Sequence, residues 1–246
     1  MSPEIEKLTE IIKNSDNIVF FGGAGVSTES NIPDFRSSNG LWNEKLKINF
    51  TPEQLVSHTF FLQYPDEFFQ FYKDKLIYPD AKPNAAHLAL AKLEEMGKVK
   101  AVVTQNIDGL HQAAGSKTVY ELHGSVLRNY CMKCHSFYDE KFILESEGIP
   151  VCPACGGRVK PDVVLYEEAL DDATISGAVN AISKADTLII GGTSLVVYPA
   201  AGLIHYFRGK NLVLINKSTT SADADADLVI HDAIGKVLGE VMEHLS

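Results

Sequence analysis

Cys131, Cys134, Cys152 and Cys155 are the only cysteines of the chain, two C-x2-C pairs separated by seventeen residues. Each pair can bend back to offer two thiolates, so the set suits a tetrahedral zinc ion of the zinc-ribbon kind. Gly156 and Gly157 supply the turn after the second pair. Disulfides would need an oxidising compartment, and redox motifs rarely come as two matched pairs. Four protein ligands leave no open coordination position, so such an ion would hold a lobe together and do no chemistry. His135, beside Cys134, is redundant as a further donor.

A second group of residues has the chemistry of a ligand site. Gly22, Gly23 and Gly25 follow the apolar run "NIVFFGG" (17–23), and a glycine turn there lets backbone approach a diphosphate. As a fingerprint for hydride transfer the turn fails. From Gly23 the pattern requires glycine at position 28, where the residue is Thr28. Glu44 lies at the distance of the expected ribose-binding acid, but "GLWNEKLK" is no strand. Where a helix should begin, the chain reads Asn-Ile-Pro-Asp-Phe-Arg (31–36). The glycines alone are also compatible with a plain tight turn. Further on come Gln105, Asn106 and Asp108 in "TQNIDGLH", His123 in "ELHGS", and Thr193 and Ser194 in "GGTSLVVYPAA". One such polar cluster would be a cap or a turn; several at the same edge of one sheet imply a ligand.

The elements that must position these residues are legible in the apolar pattern. Short continuous apolar runs at 17–23, 99–106, 185–192, 210–216 and 226–232 have the character of strands buried on both faces. Helical stretches such as "NAAHLALAKLEEMG" (84–97) separate them, and Ser2, Pro3, Glu4 and Glu6 mark the start of an N-terminal helix. Alternating strands and helices predict an α/β fold: a Rossmann-like open parallel sheet with helices on both faces and a site at its carboxyl edge. Residues 37–81, rich in aromatics, and 127–157, with the cysteines, break the alternation. They are expected to pack together as a small lobe made of a helical insertion and a zinc-ribbon insertion. The sheet domain then comprises 1–36, 82–126 and 158–246. The net charge of −10 argues against a general nucleic-acid binder. An acidic surface tolerates or mildly attracts basic partners. No signal peptide and no membrane-spanning run is visible, which predicts a cytoplasmic protein with no membrane partner.

Taken together, GAG-x-S, IPDFR, TQNID, HG, the paired C-x2-C and GTSL-x-V-x-PAA resemble the sirtuin family of NAD-dependent protein deacylases, bacterial type, in order and spacing over essentially the whole chain. The resemblance implies that NAD is consumed rather than reduced. It makes the 31–36 segment a mobile loop that closes over the nicotinamide ribose. It also implies that the acyl-lysine oxygen attacks the ribose, nicotinamide leaves, and His123 acts as general base through the ribose hydroxyls. Nicotinamide then sits against Phe35, Ile107 and Asp108. Ala24 and Thr28 line the diphosphate, Arg36 and Gln105 lie near ribose and phosphates, and Asn106 orders a water or the ribose. Thr193, Ser194 and Asn216 hold the adenosine half, with Ala233 near the adenine. The substrate would be an acyl-lysine-bearing protein or peptide added along "KPDVVLYEE" (160–168), with Val164 at the acyl-lysine amide and Tyr166 walling the lysine tunnel.

The chain departs from the family pattern at several points. It has Lys160-Pro161 where Arg-Pro is commoner, Tyr166-Glu167-Glu168 where Phe-Gly-Glu is commoner, and Asn31 and Ser37 where glycine is commoner. Family members that remove acidic acyl groups carry a Tyr-x-x-Arg pair; this chain has Tyr72 and Lys75, a cation without the bidentate fork. Deacetylation is the main expectation. A desuccinylase or demalonylase, and mono-ADP-ribosyl transfer from NAD, are the alternatives. Trp42 and the aromatics of 60–72 are expected in the small-lobe core, and nothing in the sequence demands more than a monomer.

Overall fold

The computed structural model describes residues 2–35, 40–41 and 50–245, and all five apolar runs form strands of one sheet. Arg36, Ser37, Trp42 and Glu44 lie outside the described residues. Along the chain, β1 (Ile18–Gly22), β2 (Val99–Thr104) and β3 (Val119–Glu121) are followed by β4 (Gly124–Cys131), β5 (Phe137–Tyr138) and β6 (Val159–Val163). Then come β7 (Thr187–Gly191), β8 (Asn211–Ile215) and β9 (Leu228–Ile230). The large sheet is parallel and six-stranded, in the order β3-β2-β1-β7-β8-β9. Chain direction across the sheet reverses beside β1, so a crevice opens past the ends of β1 and β7.

Strand alternation divides the core in two. Ile18 and Phe20 of β1 point into one cluster, Val19 and Phe21 into the other. The first cluster is closed by α1 (Pro3–Asn14), by α5 (Ala85–Glu95) and by the C-terminal helix Ile234–Leu245. The second is closed by the helix Asp172–Lys184 and the 3-10 segment Ala200–Tyr206. Ser2 caps α1 by accepting from the Ile5 N–H, with Pro3 at the first helical position. Among the described residues no helix is long and apolar enough to cross a membrane.

The small lobe joins α2 (Pro52–Leu55), α3 (His58–Gln63) and α4 (Pro65–Lys75) to an antiparallel sheet of order β5-β4-β6. One core holds Phe60, Phe61, Phe68 and Phe69 together with Cys131 and Cys152, so the helical and cysteine-bearing segments pack as one body. The small sheet reaches past residues 127–157 at both ends, because β4 begins at Gly124 and pairs with β6.

One buried pair in the large domain has an acid-labile chemistry. His87 of α5 and His111, in the short helix α6 (Leu110–Ala113), are 0% and 1% exposed, with ring centroids 4.7 Å apart. Neither ring nitrogen of His111, nor Nε2 of His87, has a hydrogen-bond partner among the described residues. Burial lowers the pKa of His87 to about 4, against a smaller upward pull from Asp108, and that of His111 to about 3. The unfolded chain therefore takes up protons below about pH 6.5 that the native state refuses, and stability falls as pH drops through that value. Urea unfolding should show a loss of about 2 kcal/mol per histidine between pH 7.5 and pH 5. The pH slope should shrink in His111→Phe; an unchanged slope would contradict this account.

Candidate active site

The turn after β1 is built by contact with the turn after β7. Gly25 donates its N–H to the Gly192 carbonyl at 2.8 Å, and Gly23 donates to the Gly191 carbonyl at 3.3 Å. A Cβ on Gly25 would come within 2.8 Å of the Gly192 Cα, and one on Gly192, whose φ is +60°, would collide with the Val26 nitrogen. These glycines thus let two backbones meet. Two short 3-10 turns, Ala24–Val26 and Thr28–Ser30, follow in place of the long helix of a dinucleotide fingerprint. Asn31 closes them in the left-handed conformation (φ +62°), which asparagine tolerates better than other non-glycine residues. That explains how asparagine replaces the commoner glycine there.

The polar residues named from the sequence converge on this edge. A cleft of about 1020 Å³ runs along it, and Ala24, Thr28, Phe35, Ile107, Ser194 and Ala233 line it. So do Gln105, Asn106, Asp108, His123, Thr193 and Asn216. The Gln105 N–H donates to the Gly22 carbonyl at 3.0 Å, and its carboxamide nitrogen donates to Thr193 Oγ1 at 3.0 Å. Asn216 and Thr193 exchange two bonds, Thr193 N–H to Asn216 Oδ1 at 3.0 Å and Asn216 Nδ2 to the Thr193 carbonyl at 2.7 Å. The strand ends are thereby tied to one another through side chains.

His123 stands just before β4, its Nδ1 2.9 Å from the Gln105 carbonyl oxygen. A carbonyl can only accept, so Nδ1 carries the proton and Nε2 keeps its lone pair. Burial lowers the pKa below the usual histidine value, with the carbonyl bond pulling weakly the other way. At neutral pH the ring is therefore a neutral base with a fixed tautomer. Gly124, at φ +74°, must follow it: a Cβ there would strike the Asp162 carbonyl of β6.

Ser27 is the site residue that sequence reasoning missed. Its hydroxyl donates to Asp108 Oδ2 at 2.7 Å and accepts from Asn106 Nδ2 at 3.1 Å. The signal was present in the serine of GAG-x-S, two residues after Gly25, and the structure buries it. Asp108 also accepts from the Leu110 N–H at 2.9 Å, so its carboxylate is oriented by two donors. Outside the cleft, the Glu29 carboxylate accepts from the Gly235 N–H at 2.7 Å, which ties the second 3-10 turn to the start of the C-terminal helix beside Ala233.

The segment expected beside a peptide is fixed at several backbone atoms. Val164 donates to the His123 carbonyl at 3.0 Å, and Tyr166 donates to Val56 and accepts from His58, each at 3.0 Å. Val164 and Tyr166 both line the cleft, and so does Lys75. Tyr72, named beside Lys75 from the sequence, is 0% exposed, stacks on Phe68 at 5.7 Å and is not on the cleft wall. Its helix buries Phe68, Phe69, Phe71 and Tyr72, and the tyrosine packs as core with them.

The four cysteine sulfurs all lie within 4.8 Å of one another, Cys131 and Cys155 at 3.4 Å and Cys134 and Cys152 at 3.6 Å. Sulfurs about 2.3 Å from a tetrahedral zinc sit roughly 3.8 Å apart, so the set fits that ion. Ser136 Oγ at 3.2 Å from Cys134 and Tyr138 OH at 3.0 Å from Cys152 provide outer-shell hydroxyls. A Cβ on Gly157 would come within 2.8 Å of Cys131 Sγ, so the second knuckle needs glycine.

A family model described as the Sir2 family matches residues 23–199. The chain belongs to the Sir2 family. It is 79% identical, over 99% of its length and the whole of the relative, to the NAD-dependent protein deacetylase of Clostridium perfringens (strain 13 / Type A). It is 47% identical over 98% of its length, and 99% of the relative's, to that of Staphylococcus aureus (strain N315). Among solved structures, a Sir2 variant with deacetylated p53 peptide and 3′-O-acetyl-ADP-ribose superposes with a TM-score of 0.90 at 39% identity, covering 98% of each chain. A Sir2 protein bound to acetylated peptide gives 0.85 at 38% identity, covering 99% of this chain and 98% of that one. The parallel sheet paired with a small lobe bearing a four-cysteine cluster is thus a fold shared with solved Sir2 enzymes, one of which superposes with a TM-score of 0.89 at 42% identity over the whole of this chain and 98% of that one.

The small lobe of this sirtuin carries β6 and, through it, the cleft wall at 164–168, so its metal should matter at a distance. One zinc per chain is expected by colorimetric assay after denaturation. Chelation should lower the thermal midpoint by at least several degrees and abolish peptide-dependent activity. A metal-free preparation with unchanged melting would show that the cysteines do not hold the lobe.

Proposed function

We propose that the chain is an NAD-dependent protein lysine deacetylase, releasing nicotinamide and O-acetyl-ADP-ribose with His123 as general base. The observation that carries this reading is a neutral imidazole of fixed tautomer on the wall of a cleft rich in hydroxyls and carboxamides. NAD supplies a ribose carbon that becomes electrophilic as nicotinamide leaves. The chain's own groups bind, orient and exclude water around it.

Ala24 and Thr28 hold the diphosphate, and Thr193, Ser194, Asn216 and Ala233 hold the adenosine half. Gln105, fixed by Thr193 and the β1 end, faces the ribose. Phe35, Ile107 and Asp108 border the nicotinamide, and the doubly oriented Asp108 carboxylate accepts from its carboxamide. Phe35 shields the ribose after departure, which a reaction that must keep out water requires. Arg36 is assigned beside the phosphates by family pattern. Asn106 gives its nitrogen to Ser27, which leaves the carboxamide oxygen for a water or a ribose hydroxyl. His123 takes a proton at Nε2 while the Gln105 carbonyl steadies the imidazolium that forms. The acetyl-lysine peptide lies against Val164 and Tyr166 by strand addition, which tolerates varied sequence because backbone groups do the binding. Lys75 and Glu140 both line the cleft, so the wall offers an acidic acyl group repulsion as well as attraction, and acetyl is the favoured substrate.

The test is nicotinamide release with NAD and one lysine peptide carrying acetyl, butyryl or succinyl, with mass spectrometry of the products. Acetyl-dependent release should fall by a factor of about 10²–10⁴ in His123→Ala. Release that ignores the peptide would point to ADP-ribosyl transfer or NAD hydrolysis instead. A preference for succinyl, lost in Lys75→Ala, would make Lys75 the specificity residue.

A further inference from the structure

Glu167 occupies a backbone conformation that side chains avoid. Its φ of +75° lies in the left-handed region, where a Cβ is unfavourable and glycine is at ease. The side chain has a defined task. Its Oε2 accepts from the Thr59 N–H at 2.8 Å and from Thr59 Oγ1 at 2.7 Å, which fixes the carboxylate beside the first turn of α3. Both bonds use one oxygen, and among the described residues no hydrogen bond reaches Oε1. The residue is exposed and lines the cleft.

Its neighbour Glu168 is differently placed. Glu168 Oε1 lies 2.8 Å from His58 Nδ1, and Oε2 accepts from Lys160 Nζ at 3.1 Å and from the Leu165 N–H at 2.9 Å. The negative charge of Glu168 is therefore balanced internally. Glu167 has no cation within ion-pair distance among the described residues. Two departures from the family pattern thus separate: Lys160 neutralises Glu168, while Glu167 adds a charge that faces outward.

We propose that Glu167 is a specificity residue that favours acyl-lysine substrates carrying arginine or lysine within two residues of the modified lysine. The inference rests on the reading of 164–168 as the edge along which the peptide adds. In an extended peptide, same-face side chains recur about every 7 Å, so a long cationic side chain near the acyl-lysine can reach a carboxylate next to Tyr166. Thr59 already holds that carboxylate in place, so less ordering opposes the contact. The contact is solvent-exposed, so it changes rates by a small factor and weakens with salt.

The experiment compares two acetyl-lysine peptides that differ only in having arginine or glutamate at the two residues on each side of the acetyl-lysine. Wild-type protein should show a kcat/KM higher for the arginine peptide by about 3–10-fold, narrowing between roughly 50 and 500 mM salt. Glu167→Gln keeps an acceptor for Thr59 and removes the charge; its ratio should fall by about 2–5-fold from the wild-type value, with a shallower salt dependence, the remainder of both coming from the net charge of −10. Equal rates in the wild type, or a preference that survives undiminished in Glu167→Gln, would overturn the proposal. An alanine-flanked acetyl-lysine peptide runs alongside: if neither protein deacetylates it in a His123-dependent way, the deacetylase reading itself fails, not only the charge preference.

Discussion

The contact on which the site depends is backbone against backbone, where the turn after β1 meets the turn after β7. Gly25 and Gly192 are close enough that neither can carry a Cβ without displacing the other. Their meeting point lies where strand order reverses, so the crevice every open parallel sheet leaves there is given a rigid floor. From it the polar groups fan out. Ser27 gathers Asn106 and Asp108 on one side, and Thr193 gathers Gln105 and Asn216 on the other. Gln105 then passes the constraint on through its carbonyl, which fixes the ring of His123. A change at either glycine would be felt at His123 without touching it.

The second organising element is the small lobe, which supplies one wall of the cleft. Cys131 and Cys152 are buried in the same cluster as the phenylalanines of α3 and α4, so a metal held by the cysteines would act with the aromatic core as one stabilising unit. β6 leaves this unit and runs directly into 164–168, where backbone bonds to His123, Val56 and His58 hold the segment. An ion held by the four cysteines would thereby bear, through covalent continuity, on the segment proposed to bind the peptide.

Much of this was legible in the sequence. Parallel strands buried on both faces appear as continuous apolar runs, and 17–23, 99–106, 185–192, 210–216 and 226–232 all carry that mark. The cysteine spacing named its own ligand set. Other parts left weaker traces. β3 is only three half-buried residues long, too short for periodicity. β4 shifts register between Ser125 and Asn129, which breaks its alternation, and its partner β6 carries a proline. Tyr72 could not be separated from its neighbours because four aromatics of one helix are buried together. Ser27, quoted only as part of GAG-x-S, received no role because its partners Asn106 and Asp108 lie about eighty residues away.

The most direct test of the account is the protonation state of His123, read by ¹⁵N NMR on histidine-labelled protein with His123→Gln as the assignment control. The account predicts a neutral ring at pH 7 with the proton on Nδ1 and a titration below the ordinary value of about 6.5. A proton on Nε2, or an imidazolium at pH 7, would contradict it, because neither form could accept a proton at the nitrogen left free by the Gln105 carbonyl.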